Sequence, residues 1–174
     1  ERFIKMSQTT LDIKEPGLNV LPPGVERHVV NAGGLTGLQI FPDDEIEIIN
    51  EEGNQICEII CFDKDGKSEL GILNQKENCK KSFIKELLKG KDESSLITNL
   101  QLKKRNLDIN KSKSSILFDE QTPSGEKIKI KSKDKCYVIF AAPQNNMLVS
   151  EQNPSSDLTT VSYTHLTLPT KSGV

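Results

Sequence analysis

The 174 residues are 34% hydrophobic and 28% charged, which suits one globular domain and leaves no apolar run of the roughly 20 residues that span a bilayer. The formal net charge of -2 comes from lysines and acids spread along the chain, without the basic face that binding many phosphates requires. We therefore expect neither nucleic acid nor a membrane as partner. We predict a cytoplasmic location, because the first ten residues show no signal-peptide pattern.

The first third of the chain alternates short apolar runs with turn residues, which is typical of antiparallel strands. Glu45-Ile46-Glu47-Ile48-Ile49-Asn50 alternates cleanly, and Asn50 to Gly53 supplies a turn into a buried apolar run. We expect these two segments to form a hairpin. The pattern predicts strands at 27–31, 38–41, 45–50 and 55–62.

Two helices are predicted in the middle of the chain. The first has apolar residues at helical spacing, an N-cap at Asn78 and a C-cap at Gly90. The second is capped by Asp92 to Ser95 and ends at Asn106, which tolerates the left-handed conformation. Each helix is short and apolar on one side, so we expect that side to lie against a sheet. The apolar residues concerned are Phe83, Ile84, Leu87 and Leu88 in the first helix and Leu96, Ile97 and Leu100 in the second.

The last third returns to strands, predicted at 115–118, 127–131 and 137–141, with a turn from Thr122 to Gly125. Lys127-Ile128-Lys129-Ile130-Lys131 alternates strictly, whereas 137–141 is apolar throughout. The fold class predicted is mainly β (α+β). It is an antiparallel β-sandwich or barrel-like domain with an inserted pair of short helices.

The C-terminal segment resembles something other than protein. Over ten consecutive residues, 161–170, it matches one reading frame of a transposon-based library adapter. The alternative is a terminal strand, since Val161, Tyr163 and His165 alternate with other residues. We predict a lead-in at 1–17, a β domain at 18–160 from a truncated parent protein, and a non-native tail at 161–174 that makes little specific contact. Tyr163 and His165 are therefore excluded from catalytic arguments.

The start of the native protein stays open at this point. The chain begins with Glu1 and first reaches a methionine at Met6. Either translation begins at Met6 or the beginning of the gene is missing.

Four cysteines at irregular spacing indicate reduced thiols in a cytoplasmic protein: Cys57, Cys61, Cys79 and Cys136. In a strand, Cys57 and Cys61 share one face with Ile59, and we expect them to pack as small apolar side chains. Two soft metal ligands are the alternative. A zinc site needs three or four ligands, however, and the nearest nitrogen candidate is His28. We predict no metal site and no catalytic residue.

Two short motifs are better explained as turns than as sites. Gly33 to Gly37 lacks the lysine of a phosphate loop and does not open a helical pattern. Asp63-x-Asp65-Gly66-x-Ser68 resembles the start of a calcium loop, but the position of the closing glutamate is occupied by Asn74. We expect a turn at each.

Glu58 is the most informative polar residue, because it points away from Cys57 and Cys61 within an apolar run. A carboxylate there either faces solvent or is hydrogen-bonded in a polar pocket. Together with Gln55 it forms the candidate ligand pocket for a small molecule. Residues that bind a cofactor stay unknown.

Residues 24–159 resemble the urea-carboxylase-associated domain, through short motifs whose order and spacing carry the resemblance. The branch that fits best is similar to the N-terminal extension of folate-dependent aminomethyltransferases of the glycine-cleavage T-protein and dimethylglycine or sarcosine demethylating type. The motifs are Ala32-Gly33-Gly34-Leu35-Thr36, Asp44-x-Ile46-x-Ile48, Glu52-Gly53-x-Gln55, Glu58, Arg105-Asn106-Leu107-Asp108-Ile109, Leu117-Phe118, Pro123-Ser124-Gly125, Ala141-Ala142-Pro143, Met147 and Glu151-Gln152-Asn153-Pro154.

The resemblance implies two functions of different kinds. In the first, the chain is an accessory, non-catalytic domain of a tetrahydrofolate-dependent aminomethyltransferase in methylated-amine or glycine one-carbon catabolism. Its partner is then the missing C-terminal transferase domain, which binds the tetrahydrofolate, and the chain itself needs no cofactor. In the second, it is a small hydrolase or deiminase of urea or guanidine catabolism, as some stand-alone members of the family are. The length of the uncut gene discriminates between them.

Overall fold

The computed structural model describes residues 21–144 and 155–164. Those residues contain eight β-strands, two α-helices and two short 3₁₀ turns. In chain order the strands and helices are β1 (Val25–Val30), β2 (Leu35–Ile40), β3 (Glu45–Asn50), β4 (Cys57–Asp63), α1 (Phe83–Leu87), α2 (Glu93–Lys104), β5 (Ser114–Phe118), β6 (Glu126–Lys131), β7 (Cys136–Ala141) and β8 (Leu158–Tyr163).

The strands form two four-stranded antiparallel sheets that pack face to face. The first sheet has the order β1-β8-β3-β6 and the second has the order β2-β7-β4-β5. One core cluster joins apolar residues from both sheets, among them Ile46 and Leu158 from the first and Ile59 and Phe140 from the second. The predicted fold class, a β-sandwich with an inserted pair of short helices, is confirmed.

In the first sheet, β3 and β6 turn one face to the core and a more exposed face away from it, as their alternating sequences predict. Ile48 of β3 pairs with Ile128 of β6 on the core side. On the other side Glu47 lies opposite Lys129. This pair of opposite charges stabilises the sheet by about 0.2–1 kcal/mol. Alternation with period two is enough to orient such a strand.

The second sheet is covered on both faces, which explains why β7 is apolar and why β4 is apolar apart from Glu58 and the terminal Asp63. Its inner face packs on the first sheet, whereas Ile60, Phe62 and Ile139 point outward. Ile84 and Leu88 of the α1 region and Leu102 of α2 close over that outer face. A strand in this position needs no polar side.

The predicted hairpin of β3 with β4 is wrong, because the two strands belong to different sheets. The turn itself is present, with Gly53 and Asn54 both at positive φ. It carries the chain across the sandwich, and the Asn54 amide donates to the Thr122 carbonyl instead of starting a ladder to β3. The physical reason is burial: β3 is fully buried on one face only and β4 on both, so they suit different layers.

The helix ends are partly as predicted. Asp92 caps α2 by accepting a hydrogen bond from the Ser95 amide, and Asn106 adopts the left-handed conformation. The N-cap of α1 is Ser82, not Asn78. The side chain of Asn78 instead pairs with Ile116 in β5: its Nδ2 donates to the Ile116 carbonyl and its Oδ1 accepts from the Ile116 amide. Gly90 follows α1, but the C-cap is Leu88.

The face that α2 turns to the sheet is the opposite of the one predicted. Leu96, Ile97 and Leu100 are 51%, 50% and 65% exposed, whereas the buried residues are Ser95, Thr98 and Leu102. The Ser95 hydroxyl donates to the Leu87 carbonyl, and the side-chain Nδ2 of Asn99 donates to the Leu88 carbonyl. These two hydrogen bonds, together with the burial of Leu102, hold this face of α2 against α1 and the second sheet.

Of the two motifs interpreted as turns, the one from Asp63 is a turn, whereas the one at Gly33 to Gly37 is a turn only at its start, because residues from Leu35 onward belong to β2. Gly33 has a φ of 74° ahead of β2, and Gly37 lies within β2 itself. Asp63 Oδ1 accepts hydrogen bonds from the amides of Asp65 and Lys67, with Gly66 at positive φ. In the described parts of the chain, no helix has the length and apolarity required to cross a membrane.

The expectation that residues from 161 onward make little specific contact is wrong for Val161–Tyr163. These residues are the second half of β8, which pairs with β1 on one side and β3 on the other. Strand pairing uses backbone groups that any residue supplies, and Val-Ser-Tyr has the alternation of a half-buried strand. Residues 165–174, with His165, lie outside the described residues, as does the predicted lead-in at 1–17. The adapter origin of the tail stays a prediction.

Candidate functional site

Glu58 lies on the outer face of β4, beneath α1, and is fully buried. A bulge between Cys57 and Glu58 shifts the register of β4 against β5 at this point. Of the two alternatives left open for Glu58, exposure to solvent is wrong. Its carboxylate lies with the hydroxyls of Ser82 and Ser114 in the otherwise apolar layer between the second sheet and the helices.

The Glu58 carboxylate accepts four hydrogen bonds. Oε2 accepts from the hydroxyls of Ser82 at 2.6 Å and Ser114 at 2.7 Å. Oε1 accepts from the amides of Phe83 at 2.6 Å and Ile84 at 3.2 Å. These amides are the first of α1 and have no acceptor within the helix, so Glu58 satisfies them from the sheet.

This arrangement makes Glu58 an anchor that fixes α1 on the second sheet. A general base needs a lone pair directed at the proton that it abstracts, whereas this carboxylate is surrounded by donors of its own chain. It is therefore suited to structure more than to proton transfer. Ser82 serves twice, because its hydroxyl also caps α1 by accepting from the Lys85 amide at 3.2 Å.

Gln55 is also fully buried, in a separate hydrogen-bond network. Its Nε2 donates to the carbonyls of Ile56 and Pro143, each at 2.8 Å, and its Oε1 accepts from the Ser156 amide at 2.8 Å. The side chain thus ties the start of β4 to the segment that follows β7 and to the segment that precedes β8. Asn50 Nδ2 donates to the Gln55 carbonyl and completes this network.

The structure does not bring Gln55 and Glu58 together through a common partner. Within residues 21–144 and 155–164, neither shares a hydrogen-bond donor or acceptor with the other. A ligand pocket formed by both stays a prediction. In the network around Gln55, two buried side-chain atoms have no hydrogen-bond partner among the described residues: Asn50 Oδ1 and Ser156 Oγ.

The cysteines lie where the strand pattern predicts. Cys57, Cys61 and Cys136 are buried free thiols on the inner face of the second sheet, in the core shared with the first sheet. Burial, with a smaller contribution from the Glu58 charge, raises the pKa of the Cys57 thiol. The hydrogen bond with Cys136, followed by burial, raises the pKa of Cys61. Both thiols are protonated near neutral pH, the form that is a poor nucleophile and a poor metal ligand.

The remaining candidates for a site, His28 and Cys79, lie apart from the three buried thiols. His28 is on the edge strand β1, with Nε2 3.4 Å from Glu26 Oε1. Cys79 is only partly buried, beside β5, and its thiol donates to the Lys81 carbonyl at 3.0 Å. Across the described ranges, no three histidine, cysteine or acidic side chains are grouped closely enough to hold a metal ion.

Ser82 and Ser114 are the site residues that the sequence reasoning missed. For Ser82 a signal existed, since serine directly before the periodic run Phe83-Ile84 is the usual N-cap pattern. For Ser114 there was none. A serine in a strand predicts nothing about a carboxylate 56 positions earlier in the chain.

Comparison with known proteins yields a relative in methylated-amine chemistry. The chain is 33% identical over 147 residues to a trimethylamine-oxide aldolase of Ruegeria pomeroyi (strain ATCC 700808 / DSM 15171 / DSS-3). The alignment covers 84% of this chain and 19% of the relative, so the chain spans about a fifth of that protein. No family model matches the chain, and the resemblance to the urea-carboxylase-associated domain stays a prediction.

Proposed function

We propose that this chain is an accessory, non-catalytic domain of a longer enzyme of methylated-amine metabolism. One observation carries the proposal: most of the chain aligns with a fifth of a trimethylamine-oxide aldolase. A segment of that proportion is a domain within a larger enzyme, and the larger part of the relative lies outside it. In this proposal the chemistry belongs to the rest of the longer protein.

The chemistry of the described side chains supports this assignment. Hydrolysis of an amidine or urea requires an activated water, or a nucleophile with a positioned base. The buried carboxylate of Glu58 is engaged by four donors, and the thiols of Cys57 and Cys61 are held in the protonated form. These groups build the sandwich and attach its helices.

The finer proposal is that the longer enzyme is a tetrahydrofolate-dependent aminomethyltransferase. Its folate would accept the one-carbon unit released from a methylated amine, in a domain that follows this one. The present chain would contact that domain and would bind no folate itself. This assignment rests on the resemblance of residues 24–159 and on the methylated-amine name of the relative.

The intact gene tests the proposal directly. We expect amplification of the genomic locus to reveal several hundred further codons in frame beyond the β domain, encoding a T-protein-like domain. The matched comparison is the same amplification from the upstream side, which also identifies the native start. A stop codon soon after Leu158 would contradict the proposal and favour the small hydrolase.

The isolated chain is expected to be folded but inactive. We expect no ammonia release from urea, guanidine or their carboxylated forms, because the Glu58 carboxylate is engaged by four donors and the raised pKa values of Cys57 and Cys61 keep these thiols protonated. The measurement compares the chain with its Glu58→Gln variant, after circular dichroism has shown that both are folded. Turnover by the chain that the substitution abolishes would show that Glu58 is a catalytic base and would overturn the accessory role.

A further inference from the structure

A cavity of about 320 Å³ lies at one end of the second sheet, where β2 and β4 end and β7 begins. Its wall is formed by four segments: Gln39 of β2, the turn after β4, the C-terminal end of α2 and the start of β7 with the residue before it. The cavity is separate from the networks of Gln55 and Glu58, whose side chains do not line it. Its lining includes Arg105, Lys64 and Lys135.

The Arg105 guanidinium is held in a fixed orientation at this cavity. Its Nη1 donates to Gln39 Oε1 at 2.6 Å, and its Cζ lies 4.4 Å from the centre of the Tyr137 ring. Gln39 is itself fixed, because its Nε2 donates to the Cys136 carbonyl at 2.9 Å. An arginine restrained by a hydrogen bond and a ring loses little further freedom when it binds a ligand.

The position of the Tyr137 ring depends on a glycine in the neighbouring strand. The ring lies across Gly37 of β2, and a Cβ at that position would overlap the Tyr137 hydroxyl. Gly37 therefore provides the space in which the ring lies flat on the sheet. Gly37, the Tyr137 ring and the Arg105 guanidinium thus lie one above the other, from the sheet to the cavity.

The charge of the cavity lining favours an anion. Three cations line it, against the carboxylates of Asp63 and Asp65. Asp63 is directed into its own turn, where Oδ1 accepts from two amides. Among the described residues the guanidinium makes one hydrogen bond, to Gln39, although it carries five N–H donors. The remaining donors are available to a ligand.

We propose that this cavity binds a small molecule through its carboxylate or phosphate group, with Arg105 as the principal donor. Two oxygens of such a group fit the parallel N–H donors of a guanidinium, and Lys64 and Lys135 supply further positive charge. The site goes beyond the accessory role proposed above and stands whether or not that role is correct. It assigns to the β domain a binding function of its own.

The test uses the 174-residue chain with inorganic phosphate and acetate as probes, at constant ionic strength. NMR spectra of the arginine Nε–H and tyrosine ring signals follow each titration. We expect saturable shifts of the Arg105 and Tyr137 signals, and the tighter of the two anions identifies the preferred group. No saturable shift below about 10 mM of either anion would overturn the proposal.

Three variants make the test specific. Arg105→Gln is expected to raise the Kd about tenfold or more, because it removes a charged donor pair. Arg105→Lys, which keeps the charge but not the fork, is expected to give an intermediate Kd. The control Arg27→Gln removes the same charge from the first sheet and is expected to leave the Kd within about twofold. Equal weakening by Arg27→Gln, or unchanged binding by Arg105→Gln, would contradict a site at Arg105.

Discussion

Replacing Glu58 with alanine is expected to lower the free energy of unfolding by about 4 kcal/mol. The substitution removes the acceptor of four hydrogen bonds. The amides of Phe83 and Ile84 lose this acceptor, and so do the hydroxyls of Ser82 and Ser114. It also opens a cavity between β4 and α1, which adds to the cost. Urea denaturation followed by circular dichroism measures the change.

Two further substitutions control for this result. Glu58→Gln is expected to cost about 1–2 kcal/mol, since its oxygen can accept from the two amides while its NH₂ group faces hydroxyls that can rotate. Glu86→Ala, in the same helix but exposed and paired with Lys89, is expected to change stability by less than about 0.5 kcal/mol. If Glu58→Ala were as mild as Glu86→Ala, the carboxylate would not anchor α1.

Ending the chain at Thr160 is expected to destabilise it by about 3 kcal/mol or more, because half of a central strand is lost. Val161, Ser162 and Tyr163 pair with Arg27, Glu26 and Val25 of β1, and the same three residues pair with β3. Val161 is also buried. Without these residues β1 and β3 face an empty position at one end of the first sheet. The thermal midpoint and the urea midpoint should both fall.

The matched control for this truncation ends the chain at Thr164. This version keeps all β8 pairings of the described residues, including the bond from the Thr164 amide to the Gly24 carbonyl. We expect its midpoints to equal those of the full chain. A loss below about 1 kcal/mol for the Thr160 truncation would mean that Val161–Tyr163 do not hold the sheet together.

The sequence predicts the elements of this fold better than their partners. Strict alternation identifies β3 and β6, and continuous apolar runs identify β4 and β7, because the period of burial is a local property. Pairing is not local. The turn at Asn50–Gly53 looks like a hairpin turn, yet β3 and β4 join different sheets because the outer face of β4 is covered by helices far along the chain.

The same limit applies to the candidate site. The position of Glu58 in an apolar run marks it as a residue that needs partners, and the prediction that it is either solvated or hydrogen-bonded follows from that position alone. Its donors come from α1 and β5, and nothing in the local pattern names them. For α2, hydrophobicity favours the wrong face: the hydrogen bonds of Ser95 and Asn99 to α1, together with the burial of Leu102, hold the other face inward.

The central place of β8 has a consequence for how the chain folds during synthesis. His28 of β1 and Thr160 of β8 are paired although they are 132 positions apart, so among the described strands the partner of β1 in the first sheet is available only once β8 has left the ribosome. Contacts between such distant segments form slowly, because a long loop must close before they stabilise the fold. The second sheet, whose strands are all complete by Ala141, can assemble first and offer the apolar surface on which the first sheet closes.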